Sequence, residues 1–131
     1  MFGFDWLKRL MGGGGDTDEE GDEFVEFPAA RWGGGDARFA LGRVMVSAQV
    51  LDACKEAGVS AADLLNRHAC GDWGDAPEYE AARNEENVGG WGTIRSEYRL
   101  RGHRPHYEWL VRVITSPTNN GPLTVVSEWG E

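Results

Sequence analysis

Two periodicities divide the chain. Between residues 48 and 88, apolar positions recur three or four apart, the spacing of one helical face. From residue 93 onward they alternate, the spacing of half-buried strands. Residues 39–46 are mostly apolar with Gly42 inside the run, which predicts a first strand. Ser47 can cap a helix whose face is Val50, Leu51, Cys54 and Ala57, and Gly58 is a natural stop. Ser60 can open a second helix, with Asp63 in its first turn and Val59 able to pack on Leu64. Leu64, Leu65 and His68 share the face of that helix. A turn at 70–74 follows. Asp75, Pro77 and Glu78 then mark a third helix, ending near Asn87 before Gly89 and Gly90.

Residues 93–100 predict a strand with Ile94, Ser96, Tyr98 and Leu100 on one face and Arg95, Glu97 and Arg99 on the other. A turn at 101–105 leads to a strand at 107–115, and a loop at 117–122 to a strand at 123–129. The order β-α-α-α-β-β-β predicts an α+β domain: helices packed on a three- or four-stranded antiparallel sheet. Residues 37–131 make up that domain.

Residues 1–36 read differently. Phe2, Trp6 and Leu10 are spaced by four, with Leu7 and Met11 beside them, so residues 1–11 fit an aromatic amphipathic helix. Gly12, Gly13, Gly14 and Gly15 follow, then six acids among residues 16–23. That composition predicts a flexible glycine and acidic tether. Phe2, Trp6 and Leu10 are candidate binding residues for a partner groove or a membrane surface. Folding back on the domain is their other destination.

Length and charge narrow the function. A chain of 131 residues fits one domain. The formal net charge is −9, and residues 1–38 hold nine acidic against four basic groups. Such a surface disfavours general nucleic-acid binding. A local basic stretch remains between Arg95 and Arg112. Acidity also suits a protein that docks on basic patches of a protein partner. Cys54 and Cys70 make no disulfide framework, and no secretion signal or apolar membrane-spanning run is present. A cytoplasmic protein is the expectation.

Candidate chemistry centres on residues 67–75. His68, Cys70, Asp72 and Asp75 offer one short ligand pair where zinc sites show two, so no metal is expected. The glycine runs lack the Lys-Ser/Thr ending of a phosphate loop, and no cofactor is expected. Asp72 before Trp73 and Gly74 suits an Asx-turn, with His68 bonded to Asp72 and the Trp73 N–H on a carbonyl. Yet His68, Asp72, Asn84, Ser96, Tyr98 and Thr115 are more polar groups than a small core needs to bury.

The string Arg67, His68, Gly71, Asp72, Trp73, Gly74 resembles the Arg-His-x-x-Gly-Asp-Trp-Gly signature of a poorly characterised family of short bacterial plasmid and mobile-element proteins. Asn84, Ser96, Tyr98, Val113, Ile114, Thr115, Thr124 and Val125 continue the likeness over roughly residues 41–127. The 116–121 loop and the 127–131 ending depart from the family's pattern. The resemblance implies a mobile-element accessory role, not a reaction, and Asp72, Trp73 and Asn84 are candidate binding residues. The architecture also resembles the barnase, EndoU, colicin and RelE group of metal-independent endoribonucleases. That likeness implies His68 as acid or base, Arg67 or Arg95 on phosphate, and Ser96, Tyr98 or Thr115 as orienting groups.

Overall fold

Serine caps set the first two helices. In the computed structural model, which describes residues 23–102 and 108–129, the Ser47 hydroxyl accepts from Gln49 N–H at 3.1 Å and opens helix α1, Ala48–Ala57. The Ser60 hydroxyl accepts from Ala62 N–H at 3.0 Å and opens helix α2, Ala61–Ala69. Helix α3, Glu78–Val88, starts after Pro77 with no side-chain cap.

The sheet has five strands: β1 Phe24–Phe27, β2 Arg43–Ser47, β3 Ile94–Arg101, β4 Glu108–Thr118 and β5 Gly121–Trp129. Their spatial order is β1-β2-β5-β4-β3, and β2 runs parallel to β5 while all other neighbours are antiparallel. The class is α+β, as the element order predicted. The sheet differs from the expected three or four antiparallel strands in two ways. Strand β1 lies in the stretch read as tether, upstream of the boundary expected at residue 37, and its Phe27 packs on the core with Trp32. The last strand also inserts between β2 and β4, which creates the parallel pair.

Gly42 explains a third difference. It has φ +67°, and a Cβ there would overlap the Pro122 carbonyl. The backbone therefore breaks at Gly42 and the strand begins only at Arg43. The loop expected at 117–122 is a tight hairpin, with Thr118 paired to Gly121. The N-terminal peptide with Phe2, Trp6 and Leu10, the tether through Asp22, and residues 103–107 lie outside the described residues.

Alternation gives the sheet two unlike faces. Val44, Val46, Tyr98, Leu100, Val111, Val113 and Val126 are buried against Val50, Ala53, Cys54, Leu64 and Leu65 from α1 and α2. Each large aliphatic side chain so buried contributes about 1.5–3 kcal/mol before ordering costs. Register places Met45, Val125 and Ile114 in one row on the opposite face, continued by Leu123. The 28–42 loop stays on the helical side: Arg38 N–H donates to Ala69 C=O at 2.8 Å and Phe39 packs on His68. Among the described residues, none of the three helices is long and apolar enough to cross a membrane.

Candidate functional site

Ala61, Leu64, Leu65 and His68 fall on the inner face of α2, so the last turn aims an imidazole at the sheet. His68 is fully buried, at 0% exposure. Its Nδ1 lies 2.6 Å from Ser96 Oγ on β3, and its Nε2 lies 3.0 Å from Thr115 Oγ1 on β4. Thr115 Oγ1 is in turn 2.6 Å from Thr124 Oγ1 on β5, and Thr124 donates to Leu41 C=O at 2.8 Å.

Proton counting fixes the directions in this chain from Leu41 back to the His68 Nε2–H. A carbonyl only accepts, so the single Thr124 proton is spent on Leu41. Thr115 must then donate to Thr124, which leaves its oxygen to accept from His68 Nε2–H. Burial keeps the imidazole neutral, so Nδ1 is the acceptor and Ser96 donates to it. The imidazole is neutral in its Nε2–H tautomer, with both nitrogens satisfied. Burial pushes its pKa down to about 3.

The loop after α2 is organised around Asp72. Its Oδ1 accepts from Gly74 N–H at 3.0 Å, the expected Asx-turn, and its Oδ2 accepts from Arg67 Nε at 2.7 Å. The Arg67 hydrogen bond holds the Asp72 carboxyl below its usual range and raises the Arg67 guanidinium. Arg67 also lies over the Tyr98 ring, 4.5 Å from its centroid. The Tyr98 hydroxyl donates to Asp72 C=O at 2.6 Å, and burial pushes this phenol well above the usual range. So the structure brings His68, Asp72, Trp73, Ser96 and Tyr98 together where α2 meets the sheet. The partners differ from those expected. His68 bonds Ser96 and Thr115 rather than Asp72. The Trp73 N–H donates to the Glu85 carboxylate at 3.0 Å, not to a carbonyl. Arg38 pairs with the same Glu85 at 2.7 Å, and these two bonds lower the Glu85 pKa to about 2.

The same loop closes the sheet. Strand β3 is an outer strand, and its outward backbone groups belong to Arg95, Glu97 and Arg99. Asn84, 1% exposed, donates to Arg95 C=O at 2.7 Å and accepts from Arg95 N–H at 3.0 Å. Glu97 N–H donates to Trp73 C=O at 3.3 Å, and Asp75 N–H donates to Glu97 C=O at 2.6 Å. Arg99 N–H donates to Asp75 Oδ2 at 2.9 Å. Asp75, read from sequence as a helix start, caps a strand edge instead. Glu85 and the edge-capping role of Asp75 carry no periodic signal, and sequence reasoning missed both. Replacing Asn84 with Ala should cost about 1–3 kcal/mol, because it orphans two half-buried backbone groups of Arg95. Urea unfolding measures this; a loss below about 0.5 kcal/mol would show that the edge is sealed without Asn84.

Chemically, Ser96 and His68 have the spacing of a nucleophile and its base. Both stand at 0% exposure, and Phe39 and Trp73 pack edge-on against the imidazole, with ring centroids 5.1 and 6.2 Å away. No substrate reaches His68 in this state, which argues against it as a working acid or base. Arg67 is held by Asp72, and Thr115 by Thr124. Among the described residues, no three His, Cys, Asp or Glu side chains converge to hold a metal ion. A cleft of about 710 Å³ lies beyond Phe39, lined also by Phe27, Trp32, Arg38 and Arg43. The chain matches no family model, no curated protein and no solved structure.

Proposed function

We propose that this is a small cytoplasmic accessory protein of plasmid or mobile-element type that acts by binding a protein partner. One observation carries the non-catalytic part of this reading. The polar groups that a ribonuclease would use are spent on one another: His68 on Ser96 and Thr115, Arg67 on Asp72, Tyr98 on a backbone carbonyl. A metal-independent endoribonuclease needs its acid and base exposed and titrating near neutrality. His68 is buried and pushed far below that range. The accessory role itself rests on the resemblance of the segment from Arg67 to Gly74, and partner binding on the acidity of the chain.

Purified protein incubated with total RNA, with or without EDTA, should leave it intact, and His68→Ala should change nothing. EDTA-resistant cleavage that disappears in the variant would replace this reading with the ribonuclease. Affinity purification from bacterial lysate should retain a protein at fixed stoichiometry after nuclease treatment. Retention of nucleic acid alone would defeat the reading.

A further inference from the structure

Helices α1 and α2 cover one face of the sheet, and α3 lies along the β3 edge. The second face is not polar, as an antiparallel sheet facing water usually is. Register puts Met45, Val125, Ile114 and Leu123 side by side at its centre, with Phe24 and Leu110 nearby. Met45 is buried, and the others are half-buried. Around them stand Arg43, Arg95, Arg99, Arg101 and Arg112, which outnumber Glu26, Glu97 and Glu108. So a chain of net charge −9 carries a face of net positive charge over an apolar centre.

We infer that residues 1–11 of the same chain dock on this face as an amphipathic helix and cover it. Three observations select this occupant. The first is where the chain leaves the sheet. Residue 23 leads directly into β1, and Phe24, its first residue, already belongs to the second face. The second is reach and size. Residues 12–23 span up to about 40 Å when extended, while β1 and β3 lie only about 19 Å apart across four strand spacings. An eleven-residue helix is about 16 Å long, enough to cross most of the sheet. The third is complementarity. The spacing of Phe2, Trp6 and Leu10 supplies the apolar stripe that the central patch lacks, and the six acids at 16–23 are opposite in charge to a rim rich in arginine. Tethering makes the docking intramolecular, so a short helix that is marginal alone needs little affinity to stay bound. The contact is independent of the partner reading and stands or falls without it.

Thermal unfolding of the full chain tests it. Deleting residues 1–11 should lower Tm by about 5–10 °C, and so should Trp6→Ala with Leu10→Ala in the full-length protein. Ile114→Ser should lower Tm as well, and combining it with the deletion should add little, because both remove the same contact. Tm should not depend on protein concentration, and light scattering should report a monomer. A synthetic peptide of residues 1–11, added to the deleted chain, should restore part of the loss. An unchanged Tm on deletion would overturn the inference. So would additive effects of deletion and Ile114→Ser. A dimer whose Tm rises with concentration would make a second copy the occupant. Retention of the full chain, but not the deleted one, on anionic phospholipid vesicles with equal Tm would assign the segment to a membrane surface.

Discussion

Gly74→Ala is expected to destabilise the protein by about 3–5 kcal/mol, more than any other single-methyl addition in the 67–75 segment. Gly74 has φ +67°, where a side chain costs about 1–2 kcal/mol on its own. The larger part is steric. An added Cβ would overlap the Glu97 carbonyl and lie 2.5 Å from the Tyr98 ring. Neither can yield cheaply. Glu97 C=O accepts from Asp75 N–H, and Tyr98 is 1% exposed. Relief requires the loop to lift from β3, which breaks the Glu97 contacts with Trp73 and Asp75 and exposes the outer strand. Gly58→Ala is the control. Gly58 has φ +76°, but nothing lies within 4 Å of its added Cβ, so only the backbone term of about 1–2 kcal/mol should appear. Urea unfolding of both variants separates the terms. Equal losses would show that the loop is not held against the strand.

The same contacts account for the polar cluster between residues 67 and 75. Asp72 shapes the turn, and Arg67 fixes Asp72. Trp73 reaches Glu85, and Gly74 allows the close approach to β3. Together with Asn84 and Asp75 they pair the outward groups of an edge strand, which otherwise templates association. A set of polar residues gathered in one place thus arises from sealing a sheet and needs no reaction to account for it.

Local signals made much of this legible. Ser47 and Ser60 announce their helices because a cap acts within two or three residues. Period-two alternation places Ser96 and Tyr98 on the buried face, and period 3.6 places His68 on the inner face of α2. Together they anticipate the meeting of these side chains. What stayed hidden is non-local. Strand β1 has four residues before Pro28, too short for a period to show. The insertion of β5 beside β2 is decided by which apolar strand fills the centre, and no neighbouring residue encodes it. The bonds from Asn84 and Asp75 to β3 join a side chain to backbone 11 and 24 residues away. Such contacts leave no pattern in either segment.

The second large effect lies with pH. His68 should make the protein lose about 2 kcal/mol of stability between pH 6.5 and 4.5, before most carboxylates titrate. Its folded pKa is depressed to about 3 from an ordinary 6.5. Within that interval the unfolded chain binds a proton that the native state refuses, so stability rises with pH and falls on acidification, by about 1.4 kcal/mol per unit. The native state refuses it because burial penalises the charge and Ser96 already donates to Nδ1. A proton there would force the serine to rotate and would leave an imidazolium between Phe39 and Trp73. Asp72 and Glu85 act at lower pH. Their folded pKa values are also depressed, so their contributions are present above the ordinary carboxylate range and are lost as pH falls below it. Stability should therefore fall in two pH ranges, the upper one set by His68 once the other two histidines are replaced. The experiment compares urea unfolding from pH 7.5 to 4.5 in a background where His103 and His106 are Gln. With His68 present, stability should slope across the interval. With His68→Gln, which keeps a neutral donor and acceptor, stability should start lower but stay flat. A slope that survives the substitution would mean that His68 already carries a proton in the native state. The one-way chain from Ser96 to Leu41 would then be wrong.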